Sequence, residues 1–326
     1  MAAAVTSVAE LLGLLGLRAD QVGLAPEQTG FGLRVPRGFV ARMRAGDPLD
    51  PLLAQVLPTA AERLSAPGFS ADPVGDRAAL RAPGLLHKYH GRALLIATEA
   101  CAVHCRYCFR REFPYAEQVD TAGRWSDALA ALAADESIEE LILSGGDPWS
   151  LGNGRLQQLT DALRAIPHLR RLRIHTRQPV VLPSRVDAGL LAWLAALPWP
   201  TVVVVHANHP NEIDADVAKA LLALRASGVT LLNQSVLLAG VNDRAEILTE
   251  LSQTLFSAGV LPYYIHLLDR VRGAAHFEVD EATGRALMAQ VAASLPGYLV
   301  PRLMRDVAGQ PAKVALSGGW SPQADR

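Results

Sequence analysis

The fold class predicted by the sequence is α/β. It is a partial, TIM-like (βα)6 barrel over residues 91–296, with an N-terminal extension of helices and loops over 1–90 packed on it and a short C-terminal segment over 297–326. Three observations predict this. From Arg92 onward, short β-rich runs alternate with amphipathic helical windows, as βα units around a parallel sheet do. Distinctive polar residues sit directly after these runs, where a parallel barrel gathers its active site. Before Arg92 the regularity is missing: prolines recur at Pro26, Pro36, Pro48, Pro51, Pro58, Pro67, Pro73 and Pro83 among glycines, so this stretch reads as helices and loops wrapped on something else.

The elements follow in order. Val5 to Leu17 carries apolar residues at helical spacing. A first strand is expected near 93–98, and a loop holding all three cysteines of the chain, Cys101, Cys105 and Cys108, comes directly after it. A helix near 125–134 leads to a second strand near 140–144, which runs into Ser144-Gly145-Gly146-Asp147-Pro148, a turn whose glycines permit positive φ. A helix near 155–166 precedes the third strand, 171–176, ending in His175-Thr176-Arg177. After a helix near 186–196 the fourth strand, 201–206, runs into His206, Asn208, His209 and Glu212. Helices near 214–226, 243–257 and 280–294 enclose strands near 230–236, with Asn233-Gln234-Ser235, and near 262–266. Taken singly, a Gly-Gly-Asp-Pro is an ordinary turn, and Asn or Ser before a helix is an ordinary cap. Their repeated position after successive strands is what favours a site.

Composition narrows the function. The 326 residues are half hydrophobic, enough for a large core. With 31 basic and 32 acidic residues no polyanion-binding surface is implied, so nucleic acid is not an expected substrate. No apolar run reaches the roughly 20 residues that span a bilayer. The first residues lack the basic start and cleavage site of a signal peptide, and three thiols suit a reducing compartment. No membrane partner and a cytoplasmic location are expected.

Three thiolates in one loop can hold three irons of a cubane iron–sulfur cluster and leave the fourth open to a non-protein ligand. A structural zinc site is the competing reading, with His104 or His90 as a fourth ligand. The CxxxCxxC spacing with Tyr107 before the last cysteine resembles the radical S-adenosylmethionine (SAM) signature. That resemblance implies a [4Fe–4S] cluster on Cys101, Cys105 and Cys108, SAM chelating the open iron, Tyr107 near the adenine, and Ser144, Gly145, Gly146 and Asp147 as the glycine motif that meets the SAM amino group. Lysine usage is also informative: of 31 basic residues only Lys88, Lys219 and Lys313 are lysines. A Schiff-base anchor for pyridoxal 5′-phosphate (PLP) has to be one of them. Lys219 reads as part of a solvated helix face, and Lys313, taken alone, reads as a surface lysine near the end of the chain.

Seven segments, from Gly84–Arg92 through Cys101–Arg111, Ser144–Pro148, Asn208–Glu212, Asn233–Leu238 and Pro262–Asp269 to Gly297–Pro301, occur in the order found in the lysine 2,3-aminomutase family and resemble it. The runs His87–Arg92 and Arg272–Phe277 resemble most the branch called EpmB, which acts with translation elongation factor P. The resemblance implies that Lys313 is the covalent PLP anchor and that Lys88, Arg92 and Gln234 hold its phosphate. It further implies that Arg110 pairs with the substrate α-carboxylate, and that Asp269 and Asp306 bind the ε-ammonium of L-lysine. The seven-residue interval from Asp306 to Lys313 matches the family. Glutamate is expected at the Asp306 position in some branch members, and His266 stands where clostridial-type relatives have tyrosine; no role is assigned to it. The implied reaction is a 1,2-amino shift initiated by a 5′-deoxyadenosyl radical, with an external electron donor, giving β-lysine, in the (R) form, for a separate ligase that modifies elongation factor P. Two other readings stand beside it: an aminomutase for a different amino acid, and a zinc or iron–sulfur interaction module without turnover.

Overall fold

The computed structural model describes residues 4–24, 31–118 and 125–316; Pro26 and the last ten residues of the expected C-terminal segment, 317–326, lie outside the described residues. At the N-terminus, β1 (Ala4–Val5) and β2 (Val35–Pro36) pair antiparallel. Around this ribbon lie α1 (Val8–Leu15), α2 (Arg37–Val40) and α3 (Pro51–Ala54). Ser7 caps α1 by accepting from the Glu10 N–H, and Gly16 ends it at φ +64°. Leu11, Phe39 and Leu52 are fully buried in the apolar cluster so formed, which also takes in Ala102 and Val103 of the cysteine loop. The extension therefore packs onto the loop by its own hydrophobic core.

Ten strands make the main sheet: β3 (Leu80–Ala82), β4 (Leu85–Tyr89), β5 (Arg92–Thr98), β6 (Glu140–Gly145), β7 (Arg171–Thr176), β8 (Thr201–Val205), β9 (Thr230–Leu237), β10 (Leu261–Leu267), β11 (Arg302–Arg305) and β12 (Val314–Ala315). They are ordered as in sequence, and the order ends at β3 and β12 without closing. Neighbours from β5 through β11 are parallel, while β3, β4 and β12 add antiparallel edges. The connections contain α4 (Tyr115–Gln118), α5 (Ser126–Ala134), α6 (Asn153–Leu163), α7 (Gln178–Val181), α8 (Ala188–Ala195), α9 (Ala215–Ala226), α10 (Ala245–Ser257) and α11 (Glu281–Ser294). Asp187, Asp214 and Asp280 cap α8, α9 and α11, each accepting an N–H three residues on at 2.7–2.9 Å.

All six expected strand–helix units are present, every boundary within three residues, so the fold is the partial barrel. Four strands of this sheet were not expected, nor was the β1–β2 ribbon. β3 and β4 are joined through Gly84 at φ +77°, and β4 turns into β5 through Gly91 at φ +74°; turns this tight need glycine. β11 and β12 are too short for alternation to register.

Alternation separates the two faces of the parallel strands. Leu141, Leu143, Leu172, Ile174, Val203 and Val205 are packed in one core with the helices, whereas Ile142, Ser144, Arg173, His175, Gln234 and His266 face a central cavity. Among the described residues no helix is long and apolar enough to cross a membrane. Leu143 is 0% exposed at the centre of this core. Leu143→Ala is expected to cost about 2–5 kcal/mol, read as a lower midpoint of urea denaturation.

Candidate active site

The inward faces of the strands enclose a cavity of about 570 Å³, a volume typical of a cofactor or substrate site. Every residue to which the resemblance gives a site role lines it: the three cysteines with Tyr107 and Arg110, the Ser144–Asp147 turn, Lys88, Arg92, Gln234, Asp269, Asp306 and Lys313; Asn208, His209, Glu212, Asn233 and Ser235, also noted after strands, do not, nor do His90, His104 and Lys219.

The cysteine loop is held from both sides. Its backbone N–H groups at His104 and Arg106 donate to the carbonyls of Arg34 and Gln55, each at 2.9 Å. Glu62 clasps Arg106 at 2.7 Å and Arg111 at 2.6 Å. From the barrel side, Gly146 and Asp147 donate to the Thr98 and Ala100 carbonyls at 2.7 and 2.8 Å. This contact explains the glycine pair: a Cβ on Gly146 would lie 2.6 Å from the Ala100 oxygen, and one on Gly145, at φ +106°, 2.7 Å from Ile96 Cγ2. The three cysteines are free thiols. Burial, together with the neighbouring thiols, pushes Cys101 well up and Cys108 to about 11, so only a cationic centre between them favours three thiolates. Among the described residues no three His, Cys, Asp or Glu side chains are placed to hold a single metal ion. Three thiols in one loop can each bind one iron of a cluster.

The polar residues around the loop form a dense network. Tyr107 donates to Gln55 at 3.2 Å, accepts from Asn208 Nδ2 at 2.7 Å, and lies 2.9 Å from His206 Nε2. Burial and nearby Arg177 pull the His206 imidazole down to about 3, so it is neutral. His206 and His209 work separately, since His209 Nδ1 accepts from the Asn211 N–H. The Asp147 carboxylate is occupied by protein donors: Trp149 N–H, Thr176 Oγ1, and the N–H groups of Arg177 and Gln178 at 2.7–3.1 Å. It anchors the start of α7, leaving the main chain of the turn to face the cavity.

Deeper in the cavity, Asp76 accepts from Lys88 at 2.6 Å and from Arg110 Nε at 2.8 Å. Arg110 also reaches Ser144 Oγ at 3.3 Å and lies 4.6 Å over the Phe109 ring. Two cations suited to anionic ligands are thus fixed by one buried carboxylate.

Lys313 and Asp306 meet because of strand register. β11 and β12 form a hairpin in which Arg305 pairs with Val314, and the next residues inward are Asp306 and Lys313. Their side chains form an ion pair at 3.0 Å, while Tyr89 donates to the other Asp306 oxygen at 2.8 Å. Burial raises the Asp306 carboxyl, but the Lys313 and Lys88 charges outweigh it and hold the group below its ordinary range. Asp269, just past β10, is half-buried and makes no direct ion pair among the described residues; desolvation pushes its carboxyl up to about 7 even though Lys313 draws it down.

Asp76, Tyr89, Gln55, Arg177 and Glu212 are site residues not assigned roles from sequence. Arg177 and Glu212 carried a signal in their position after strands; Asp76 and Gln55, in the irregular extension, carried none. Among the described residues, three buried donors or acceptors on cavity-lining residues, His175 Nε2, His266 Nε2 and Arg177 Nε, have no protein partner. Buried polar atoms of this kind ask for a ligand, and together with the cations and thiols they fit a polar, anionic cofactor set.

Residues 90–171 match the family model described as a 4Fe-4S single cluster domain. The chain is 48% identical over 318 residues, 97% of this chain and 93% of the relative, to L-lysine 2,3-aminomutase of Escherichia coli. It is 49% identical over 283 residues, 87% of this chain and 84% of the relative, to the protein of the same name from Haemophilus influenzae. A solved structure of a radical SAM methyltransferase from Sphaerobacter thermophilus aligns at a TM-score of 0.50 with 16% identity, covering 68% of each chain. That likeness concerns the fold.

Anaerobic reconstitution is expected to give about four iron and four sulfide per chain. In Gly146→Ala the added methyl displaces the entry to the cysteine loop, so iron content is expected to fall by more than half while far-ultraviolet circular dichroism stays unchanged.

Proposed function

Because the chain belongs to the L-lysine 2,3-aminomutase family of radical SAM isomerases, we propose that it moves the α-amino group of L-lysine to Cβ in the cavity described above, with a [4Fe–4S] cluster, SAM and PLP as cofactors. The observation that carries this reading is the convergence in one cavity of the three thiols, the lysine Lys313 and the acids Asp269 and Asp306. When bound, the cluster with SAM supplies a carbon-centred radical, and PLP supplies the conjugated system that lets nitrogen migrate.

The chain's own residues bind, orient and exclude water. Cys101, Cys105 and Cys108 hold the cluster, with Tyr107 and the Ser144–Asp147 turn beside the SAM position. Lys88, Arg92 and Gln234 hold the PLP phosphate: Lys88 and Arg92 are brought together by the β4–β5 hairpin, whose register pairs Tyr89 with Arg92. Arg110, steadied by Asp76 and Ser144, offers its guanidinium to the substrate α-carboxylate. Asp306 holds the Lys313 ammonium in the chain as it stands; a lysine substrate brings a second ammonium to the same two acids. A pair of carboxylates accepts a terminal cation and rejects an anionic side chain, which favours lysine over glutamate. Apolar residues including Leu94, Ile142 and Met304 complete the lining and keep water from a reactive intermediate. The (R) configuration of the product and its transfer to elongation factor P by a separate ligase rest on the His87–Arg92 and Arg272–Phe277 runs, and an external reductant supplies the electron.

Turnover with L-lysine, ornithine and glutamate under anaerobic conditions tests the assignment. L-lysine is expected to give β-lysine and glutamate to give no product; turnover of glutamate in preference to lysine would overturn it. Lys313→Ala is expected to abolish turnover with the cluster still loaded. Asp306→Asn removes one partner of the ammonium and is expected to lower kcat/KM for lysine roughly 30-fold or more, about 2 kcal/mol. Asp269 titrates at about 7 in the free chain, and a bound ammonium favours its ionised form. Lysine binding therefore strengthens as pH rises through 7, and kcat/KM is expected to fall roughly tenfold per unit below it. Asp269→Asn should flatten that limb of the profile.

A further inference from the structure

Behind the cysteine loop lies an ion pair that the assigned roles leave unused. Arg177 follows β7 and is 6% exposed; Glu212 follows β8 and is 0% exposed. Arg177 Nη2 donates to Glu212 Oε2 at 2.9 Å and to Gln55 Oε1 at 2.7 Å. Its Nη1 points elsewhere, to Cys105 Sγ at 2.7 Å. The two terminal nitrogens are thus not used together on the carboxylate, as in the bidentate geometry arginine frequently adopts. Here one goes to the acid and one to sulfur.

Both ends are pinned. The Arg177 backbone N–H donates to Asp147 Oδ2 at 2.7 Å, and the rings of Phe39 and Tyr107 lie 5.5 and 5.8 Å from its guanidinium. Glu212 Oε1 accepts from the N–H groups of Asn208 and His209 and from Gln55 Nε2, at 2.8–3.1 Å. Among the described residues Cys105 is the one cysteine that receives a side-chain donor, and that donor is charged.

We propose that Arg177 is a positioning residue that sets the reduction potential of the cluster through its charge-assisted N–H···S bond to Cys105, with Glu212 and Gln55 fixing its orientation. The inference rests on the reading that the three cysteines hold the cluster. Hydrogen bonds to ligand sulfur draw electron density from the iron, and a fixed positive charge in a buried site stabilises the added electron. One electron passes from the external reductant to the cluster. No proton leaves the guanidinium, which keeps all five N–H groups.

The test is an EPR-monitored redox titration of reconstituted, SAM-free protein with dithionite, comparing wild type, Arg177→Lys and Arg177→Gln, with iron and sulfide counted in each. Arg177→Gln is expected to lower the ratio of reduced to oxidised cluster at least tenfold at a given potential, equivalent to about 59 mV for one electron; Arg177→Lys should fall between. A fully loaded Arg177→Gln with the wild-type midpoint overturns the proposal and leaves the cluster assignment standing. If Arg177→Gln takes up no cluster, the wild type decides. Protein labelled with ¹⁵N in the arginine guanidinium should show ¹⁵N hyperfine coupling to the reduced cluster by pulsed EPR, and absence of that coupling overturns the proposal. Wild type that binds zinc and no iron–sulfur cluster would overturn the underlying site reading.

Discussion

The interior of this barrel carries charges that a protein core cannot hold unpaired, and the arrangement of the site follows from how they are matched. Lys88 and Arg110 share Asp76, Arg177 is held by Glu212, and Lys313 by Asp306. Removing one partner of such a pair leaves a buried charge uncompensated, at about 3–5 kcal/mol. The pairs therefore stabilise the ligand-free cavity and set the terms on which ligands enter. Under the proposed function an anion would be received by cations already in place, and an ammonium by Asp306 and by Asp269, whose carboxyl is pushed up to about 7.

Position in the sheet does the matching. Parallel strands send alternate side chains inward, so the polar residues at the ends of β6, β7 and β9 reach the same space as the thiols after β5. The antiparallel edges complete the set: β4 supplies Lys88 and Tyr89, and the β11–β12 hairpin brings Asp306 against Lys313. The N-terminal extension takes part as well. Gln55, Glu62 and Asp76 all come from it, and each contacts a residue in or beside the cysteine loop or cavity. An irregular segment thus contributes acids and an amide where a regular barrel has none.

Most of the parallel sheet was legible in the sequence because its strands are five to eight residues long and alternate with helices of eight to fourteen. β3, β11 and β12 were not, being two to four residues long, nor was β4, which is set by glycine turns whose geometry only pairing reveals. The cysteines and the glycine turn were legible from spacing, but the reason for Gly145 and Gly146 was not: they lie flat on residues 96–100, a contact between elements almost fifty positions apart. Lys313 taken alone read as a surface lysine; resemblance picked it out, and the hairpin register supplies the physical cause. Asp76 was invisible because nothing in its neighbourhood has a period. Asp147 was expected beside the SAM amino group; what the structure shows is its carboxylate engaged by four protein donors.

In the proposed reaction the loop that would generate the radical and the acids that would bind lysine share one cavity. The most direct measurement follows the hydrogen that leaves the substrate. With L-lysine deuterated at Cβ, the account predicts β-lysine retaining deuterium and SAM re-isolated from the same reaction carrying deuterium at its 5′ carbon. Formation of β-lysine with all of the deuterium lost to water, or with none in SAM, would contradict it.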